Sequence, residues 1–233
     1  MNEDKMFKAK ISEIFRSIQG EGKYLGADQI FVRFSGCNLS CGWCDTPASR
    51  DKSAGLTMDA LDLLSAIARH GSGWHSVSLT GGEPLLQSDF LLEFLPQLKK
   101  KPERIFLETN GTLFQALEDC LEYIDIISMD FKLPCSTNGQ VHWDEHRRFL
   151  KIASQKEVYV KAVISKHTVL SNVAMTRDLI KDVDPGILLI LQPNSLELDK
   201  ALIEKCTGFQ RFCADKLKDV RVIPQVHKIM AIR

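Results

Sequence analysis

Cys37, Cys41 and Cys44 stand close together in the stretch FSGCNLSCGWCDT, and no histidine or fourth cysteine accompanies them there. Thiolates at such spacing chelate a soft metal. Four of them would close a structural zinc site. Three on one tight loop can hold three irons of a 4Fe-4S cubane and leave the fourth iron to a ligand that is not protein. An open coordination position is what catalysis uses. The plainer alternative is zinc completed by a distant ligand such as His70 or His75.

Other reactive types gather around similar turns. TGGEP (Thr80 to Pro84) is a glycine-rich turn in which Gly81 and Gly82 allow close backbone approach. SIQGEG (Ser17 to Gly22) reads as a flexible loop whose Gln19 and Glu21 offer paired donors and acceptors, or as a plain hairpin turn. Arg33 precedes Cys37 on a strand-like run. It can clamp a carboxylate bidentately or serve a surface ion pair. Asp45 and Thr46 follow Cys44 directly. The scattered Cys120, Cys135, Cys206 and Cys213 read as small buried apolar residues, because disulfide frameworks belong to small secreted chains.

The elements that must position these groups alternate along the chain. KISEIF, IFVRFSG, SVSLTG, RIFLETN, DIISMDFK, EVYVKAVIS, GILLILQP and VRVIPQVH read as strands. Helical periodicity fills the gaps. One helix carries Ala60, Leu63, Leu64 and Ile67, with Thr57 as the expected N-cap. A second carries Leu91, Phe94, Leu95 and Leu98, with Ser88 as its cap and Pro96 to kink or shorten it. The last long one carries Leu198, Leu202, Cys206, Phe209 and Cys213. Such alternation implies parallel strands with right-handed crossovers, hence an α/β barrel or a doubly wound sheet. In either architecture the loops after the strand C-terminal ends build the site, and the cysteine loop, TGGEP, ETNGT, SMDFK and LQPNS all fall there.

The cysteine spacing followed by TGGEP resembles the radical S-adenosylmethionine (SAM) superfamily. SIQGEG, FVRFSGCNLSCGWCDT, LETNGT and QVHKIMAIR together resemble its 7-carboxy-7-deazaguanine synthase family, from about Ile11 to the C-terminus. The resemblance implies an abridged, partial (β/α)6-type barrel with additional terminal strands, and one radical SAM core domain over residues 1–233. It implies a 4Fe-4S cluster on Cys37, Cys41 and Cys44, with SAM chelated to the unligated iron and Mg2+ on Thr46. The family converts 6-carboxy-5,6,7,8-tetrahydropterin to 7-carboxy-7-deazaguanine with loss of ammonia, on the route to queuosine and related compounds. By the same resemblance Ile18, Gln19, Gly20, Glu21, Arg33, Thr80 and His227 face the pterin. Gly82, Glu83, Ser128, Asp130, Lys132 and Gln192 face SAM, although some relatives read Ser-Pro-Lys where this chain has SMDFK. A flavodoxin- or ferredoxin-type reductant and a homodimer are implied as partners.

Bulk properties bound the alternatives. Lys plus Arg and Asp plus Glu each number 30 in 233 residues, so no broad field draws nucleic acid or an anionic membrane. MNEDKMFKAK has no apolar leader core and no run reaches the length of a membrane span, which places the chain in the cytoplasm. Two rivals differ in kind: a glycyl-radical-enzyme activase, which needs no pterin-edge reader, and a non-catalytic zinc protein.

Overall fold

The computed structural model describes residues 6–232. The start of MNEDKMFKAK and the last residue of QVHKIMAIR lie outside the described residues. Nine strands form one sheet: β1 (Ala9–Ile18), β2 (Asp28–Phe34), β3 (Leu56–Met58), β4 (Ser76–Gly81), β5 (Arg104–Thr109), β6 (Ile126–Asp130), β7 (Glu157–Ile164), β8 (Leu189–Pro193) and β9 (Val220–Val222). Their order is β3-β1-β2-β4-β5-β6-β7-β8-β9. Every pairing from β2 to β9 is parallel, while β1 runs antiparallel to β2 and β3. Helices α1 (Ala60–Ala68), α2 (Ser88–Leu98), α3 (Phe114–Cys120), α4 (Trp143–Ala153), α5 (Leu170–Val183) and α6 (Lys200–Ala214) lie between successive parallel strands, and a short α7 (Val226–Ile229) follows β9. This is a partial (β/α)6-type barrel, open between β3 and β9, with β1, β3 and β9 as the additional strands.

The parallel strands are apolar runs because both faces are covered. Period-two alternation sorts them. Val32, Leu79, Leu107, Met129, Ala162 and Leu191 face the helices in the main core. On the opposite, concave face, Phe106, Ile126, Tyr159, Leu188 and Ile190 make a second small core with Tyr24 packed against it. One pleat further along those strands come Glu108, Ser128, Lys161 and Gln192. The barrel interior therefore has an apolar floor and a polar mouth.

Local details differ from expectation for identifiable reasons. Asp59, not Thr57, caps α1 by accepting from the Asp62 amide, because Thr57 is drawn into the edge strand opposite Lys10. Ser88 is the first residue of α2 rather than its cap; the cap position is Gln87, which makes no side-chain capping bond, and Glu83 caps the preceding 3-10 turn by accepting from Leu85 N. Pro96 sits in the last turn of α2, which ends at Leu98. In α6, Leu202, Cys206, Phe209 and Cys213 are buried, whereas Leu198 lies before the helix and is exposed. The last strand stops at Val222 because Pro224 has no N–H to give the ladder. Cys120, Cys206 and Cys213 are buried as expected, but Cys135 is only half-buried, its Sγ 3.4 Å from Thr168 Oγ1. Among the described residues no helix is long and apolar enough to cross a membrane.

Candidate active site

A cavity of about 480 Å³ opens at the C-terminal ends of the parallel strands. The cysteine loop leaves β2 and forms one wall. Cys37, Cys41 and Cys44 are half-buried, free, and all line the cavity. Burial pushes the Cys37 and Cys41 thiols up, and the neighbouring Cys44 adds to both; for Cys37 the Leu39 amide works the other way. The positive charge of Lys132 lowers both. The donor set, three thiols on one loop at a polar mouth, fits a cluster with three protein ligands. Neither histidine named for the zinc alternative lies at this mouth. His75 precedes β4 at the far end of the barrel, its ring 4.8 Å from Tyr24 and its Nδ1 3.0 Å from Ser76 Oγ. His70 leads into that same end, where its carbonyl accepts from Arg16.

The TGGEP turn packs against the cysteine loop. Gly82 N donates to Phe34 O at 2.9 Å and Glu83 N to Gly36 O at 2.8 Å. A Cβ on Gly82 would run into the Gly36 and Ser49 carbonyls. The missing side chain thus joins the two motif loops before any ligand is considered. Glu83 is fully buried behind the cavity and does not line it. Its carboxylate accepts from Leu85 N, from Thr109 Oγ1 at 2.9 Å and from Asn110 N at 2.8 Å. Burial raises its pKa to about 7, because these neutral donors and the more distant Lys132 compensate only in part.

All the other expected site residues line the cavity: Ile18, Gln19, Gly20, Glu21, Arg33, Thr46, Thr80, Gly82, Ser128, Asp130, Lys132, Gln192 and His227. Arg33 on β2 is paired through Nε with Glu13 Oε2 at 2.9 Å, which leaves the outer edge of the guanidinium for a planar partner. Gln19 and Thr80 converge on one group: Gln19 Nε2 donates to Glu108 Oε1 at 2.8 Å and Thr80 Oγ1 to Glu108 Oε2 at 2.7 Å. The 19–26 loop turns into the barrel interior, where the Gly20 carbonyl accepts from Val226 N at 2.9 Å. A Cβ on Gly20 would strike the His227 ring, so this glycine admits the C-terminal segment over the mouth.

Glu21 meets Lys161 from β7 as a largely shielded ion pair, and its Oε1 accepts from the Gln225 amide at 2.6 Å. Burial alone would raise the Glu21 pKa, but Lys161, the Gln225 amide and His227 outweigh it and bring the value to about 2. The Gln225 amide also reaches Asp45 Oδ2 at 3.1 Å. Glu21, Asp45 and His227 each bring one ligand atom within 4.8 Å of the others. Thr46 Oγ1 sits 3.5 Å from Asp45 Oδ1 and 3.3 Å from Ser49 Oγ.

Across the cavity Lys132 Nζ holds Asp130 Oδ2 at 2.7 Å. Asp130 Oδ1 and Gln192 Oε1 are buried with no hydrogen-bond partner. Acceptors left unsatisfied at a cavity wall are costly unless a ligand supplies donors. Hydroxyls, an ammonium or an exocyclic amine would satisfy them, so these positions fit the polar groups of SAM.

Among the cavity residues to which spacing arguments gave no role, Glu108, Lys161 and Gln225 make the polar contacts just described. The signal was present for two of them: Glu108 and Lys161 are charges inside otherwise strand-like runs, RIFLET and EVYVKAVI. Gln225 opens the QVHKIMAIR stretch, but its place in the cavity depends on where the C-terminal segment folds back.

Comparison with known proteins follows the same lines. Residues 31–175 match the Radical SAM superfamily. A 7-carboxy-7-deazaguanine synthase of Geobacter sulfurreducens is 37% identical, covering 95% of this chain and 97% of that protein. One of Methanothermobacter thermautotrophicus is 36% identical, covering 98% and 99%. The crystal structure of QueE from Escherichia coli superposes with a TM-score of 0.66 at 23% identity, over 94% of this chain and 95% of that one, a likeness of fold.

Proposed function

The chain belongs to the 7-carboxy-7-deazaguanine synthases of the radical SAM superfamily, and from that membership we propose that it contracts the ring of 6-carboxy-5,6,7,8-tetrahydropterin to 7-carboxy-7-deazaguanine with release of ammonia. The observation that carries the reading is the facing of two sets of groups across one cavity: three free thiols on the β2 loop, and the unpartnered Asp130 Oδ1 and Gln192 Oε1 opposite.

The cluster and SAM, when bound, supply the one-electron cleavage that starts radical chemistry. The protein's own part is to hold, orient and desolvate. Cys37, Cys41 and Cys44 hold the cluster; Gly82, Ser128, Asp130, Lys132 and Gln192 receive SAM. Glu83 serves them from behind, fixing Thr109 and Asn110. The Glu108 carboxylate, already oriented by Gln19 and Thr80, accepts from the aminopyrimidinone edge of the pterin. Ile18, Gly20, Glu21 and His227 line its other side. Arg33 takes the substrate carboxylate on its free guanidinium edge. Polar clamps at opposite ends of a rigid bicycle fix the carbon that must lose hydrogen.

Thr46 would offer one oxygen to Mg2+, with Asp45 beside it; one hydroxyl is too little for such an ion, so further oxygens would have to come from substrate and water. Residues 1–233 act as one radical SAM core in the cytoplasm, working as a homodimer that draws electrons from a flavodoxin or ferredoxin on the way to queuosine-type deazapurines.

The test is an anaerobic assay of cluster-reconstituted protein with dithionite, SAM, Mg2+ and 6-carboxytetrahydropterin, read by mass spectrometry. Formation of 7-carboxy-7-deazaguanine that disappears in Cys41→Ala is the expected result. Release of 5′-deoxyadenosine with no deazaguanine would reject this substrate and favour a glycyl-radical partner.

A further inference from the structure

Resting on the substrate and SAM assignments above, we infer that Lys161 is a positioning residue that ties the pterin-reading loop to the SAM-facing strand, so that filling either ligand site tightens the other.

The Lys161 side chain is 14% exposed and points into the cavity from β7. Its ammonium pairs with Glu21 Oε2 and lies 3.7 Å from Asp130 Oδ2. The same Asp130 oxygen accepts from Lys132. Charges therefore alternate across the cavity in the order Glu21, Lys161, Asp130, Lys132. Burial works against the charged form of Lys161, but Glu21, Asp130 and Glu108 outweigh it and keep the ammonium protonated.

The two ends of this row differ in rigidity. Asp130 and Lys161 are register partners across β6 and β7, and Lys161 O accepts from Phe131 N at 2.8 Å, so that half is part of the sheet. Glu21 belongs to the loop between β1 and β2, outside any ladder, where Gly20 and Gly22 flank it. The loop is tied on its other side through Gln225, which reaches Glu21 and Asp45. Asp130 Oδ1 is the unpartnered atom of the row and faces the SAM side. A donor bound there fixes the carboxylate, the carboxylate fixes Lys161, and Lys161 fixes the loop outside the ladder that reads the pterin. A ligand ordering the loop acts back along the same contacts. Coupling free energy is reciprocal, so one factor must describe both directions.

The test is equilibrium binding to the oxidised, cluster-loaded enzyme, in which SAM is not consumed. SAM affinity is measured with and without saturating 6-carboxytetrahydropterin, for the parent, Lys161→Met and Lys161→Arg. The parent should bind SAM about fivefold or more tightly with the pterin present, the lower end of ordinary site-to-site coupling. Lys161→Met should bind each ligand alone more weakly and show a coupling factor near one. Lys161→Arg keeps the charge but changes its reach, and should fall between the two; it carries the comparison if the Met variant does not fold. Parent-like coupling in Lys161→Met, or in Lys161→Arg where that variant carries the comparison, overturns the inference. So does a Lys161→Met effect confined to one ligand, or a parent whose SAM affinity ignores bound pterin. A parent that binds SAM but no pterin overturns the substrate assignment itself, and the inference with it.

Discussion

Glu21, largely shielded from solvent, and Glu83, fully buried, stand at the same mouth of the barrel, and their proton affinities move in opposite directions. Burial pushes both up. Glu21 faces the cavity against a lysine, an amide and a histidine, and falls to about 2. Glu83 sits behind the cavity among backbone amides and a threonine hydroxyl, and rises to about 7. What stands opposite a buried charge, rather than burial itself, decides whether the charge survives. The cavity face of this barrel is a place for ions, and the shell behind it is a place for neutral hydrogen bonds.

The largest way to break that contrast is to remove Glu83 altogether. Glu83→Ala leaves Leu85 N–H, Thr109 O–H and Asn110 N–H buried without acceptors. Each costs roughly 1–3 kcal/mol, so a loss of about 4 kcal/mol is expected in urea unfolding. A parent-like midpoint would mean that water replaces the carboxylate.

Titration sharpens the contrast next. In the folded state Glu83 binds its proton up to about pH 7. An unfolded glutamate releases it near pH 4.3. The stability tied to this proton is fully present below the unfolded value and is lost as pH rises through about 7, on the order of 3 kcal/mol in total. Glu83→Gln keeps the shape and removes the titration, so parent minus variant stability should fall across that window. A flat difference between pH 4 and pH 8 would show that folding leaves the proton affinity of Glu83 unchanged. Glu21 runs the other way: its contribution is present above the unfolded value and is lost as pH falls toward about 2.

On the cavity side, Glu21→Gln should act on catalysis more than on the fold, because Lys161 keeps Asp130 as a partner. We expect a loss of about 100-fold in kcat/KM for the pterin, roughly 2.7 kcal/mol of transition-state stabilisation. Equal losses in stability and activity would mean that the ion pair serves only the barrel. The smallest effect should come from Gln225→Ala, which removes one hydrogen bond to Glu21 Oε1. Folded stability should change by about 1 kcal/mol. The Glu21 carboxyl resonance, followed by carbon NMR, should titrate at higher pH than in the parent; a shift to lower pH would show that the amide opposes ionisation.

The motifs that were legible in the sequence are contiguous. The cysteine loop and TGGEP each place several functional atoms within a few bonds, so covalent spacing alone limits what they can do. The strands and their alternation with helices were legible too, because parallel strands buried on both faces leave a signature along the chain. Missed pieces were the short edge strand β3, which took Thr57 from its expected role as a cap, and the turn of the C-terminal segment after Pro224.

What the sequence by itself determined is therefore the three-cysteine loop, the glycine turn beside it and the α/β alternation that brings both to one rim. Only the tertiary structure decided which polar residues face each other across that rim. Arg33, Thr80, Glu108, Asp130, Lys161 and Gln192 come from separate strands, and the register of the sheet sets them on the concave face. Tertiary packing likewise turned the GGEP carboxylate of Glu83 away from the cavity and brought Glu21 and Gln225 together over 204 residues of chain. The physical reason is range. Metal chelation by a loop is a local property, whereas the partner that keeps a buried charge ionised is supplied by whichever strand the fold sets opposite it.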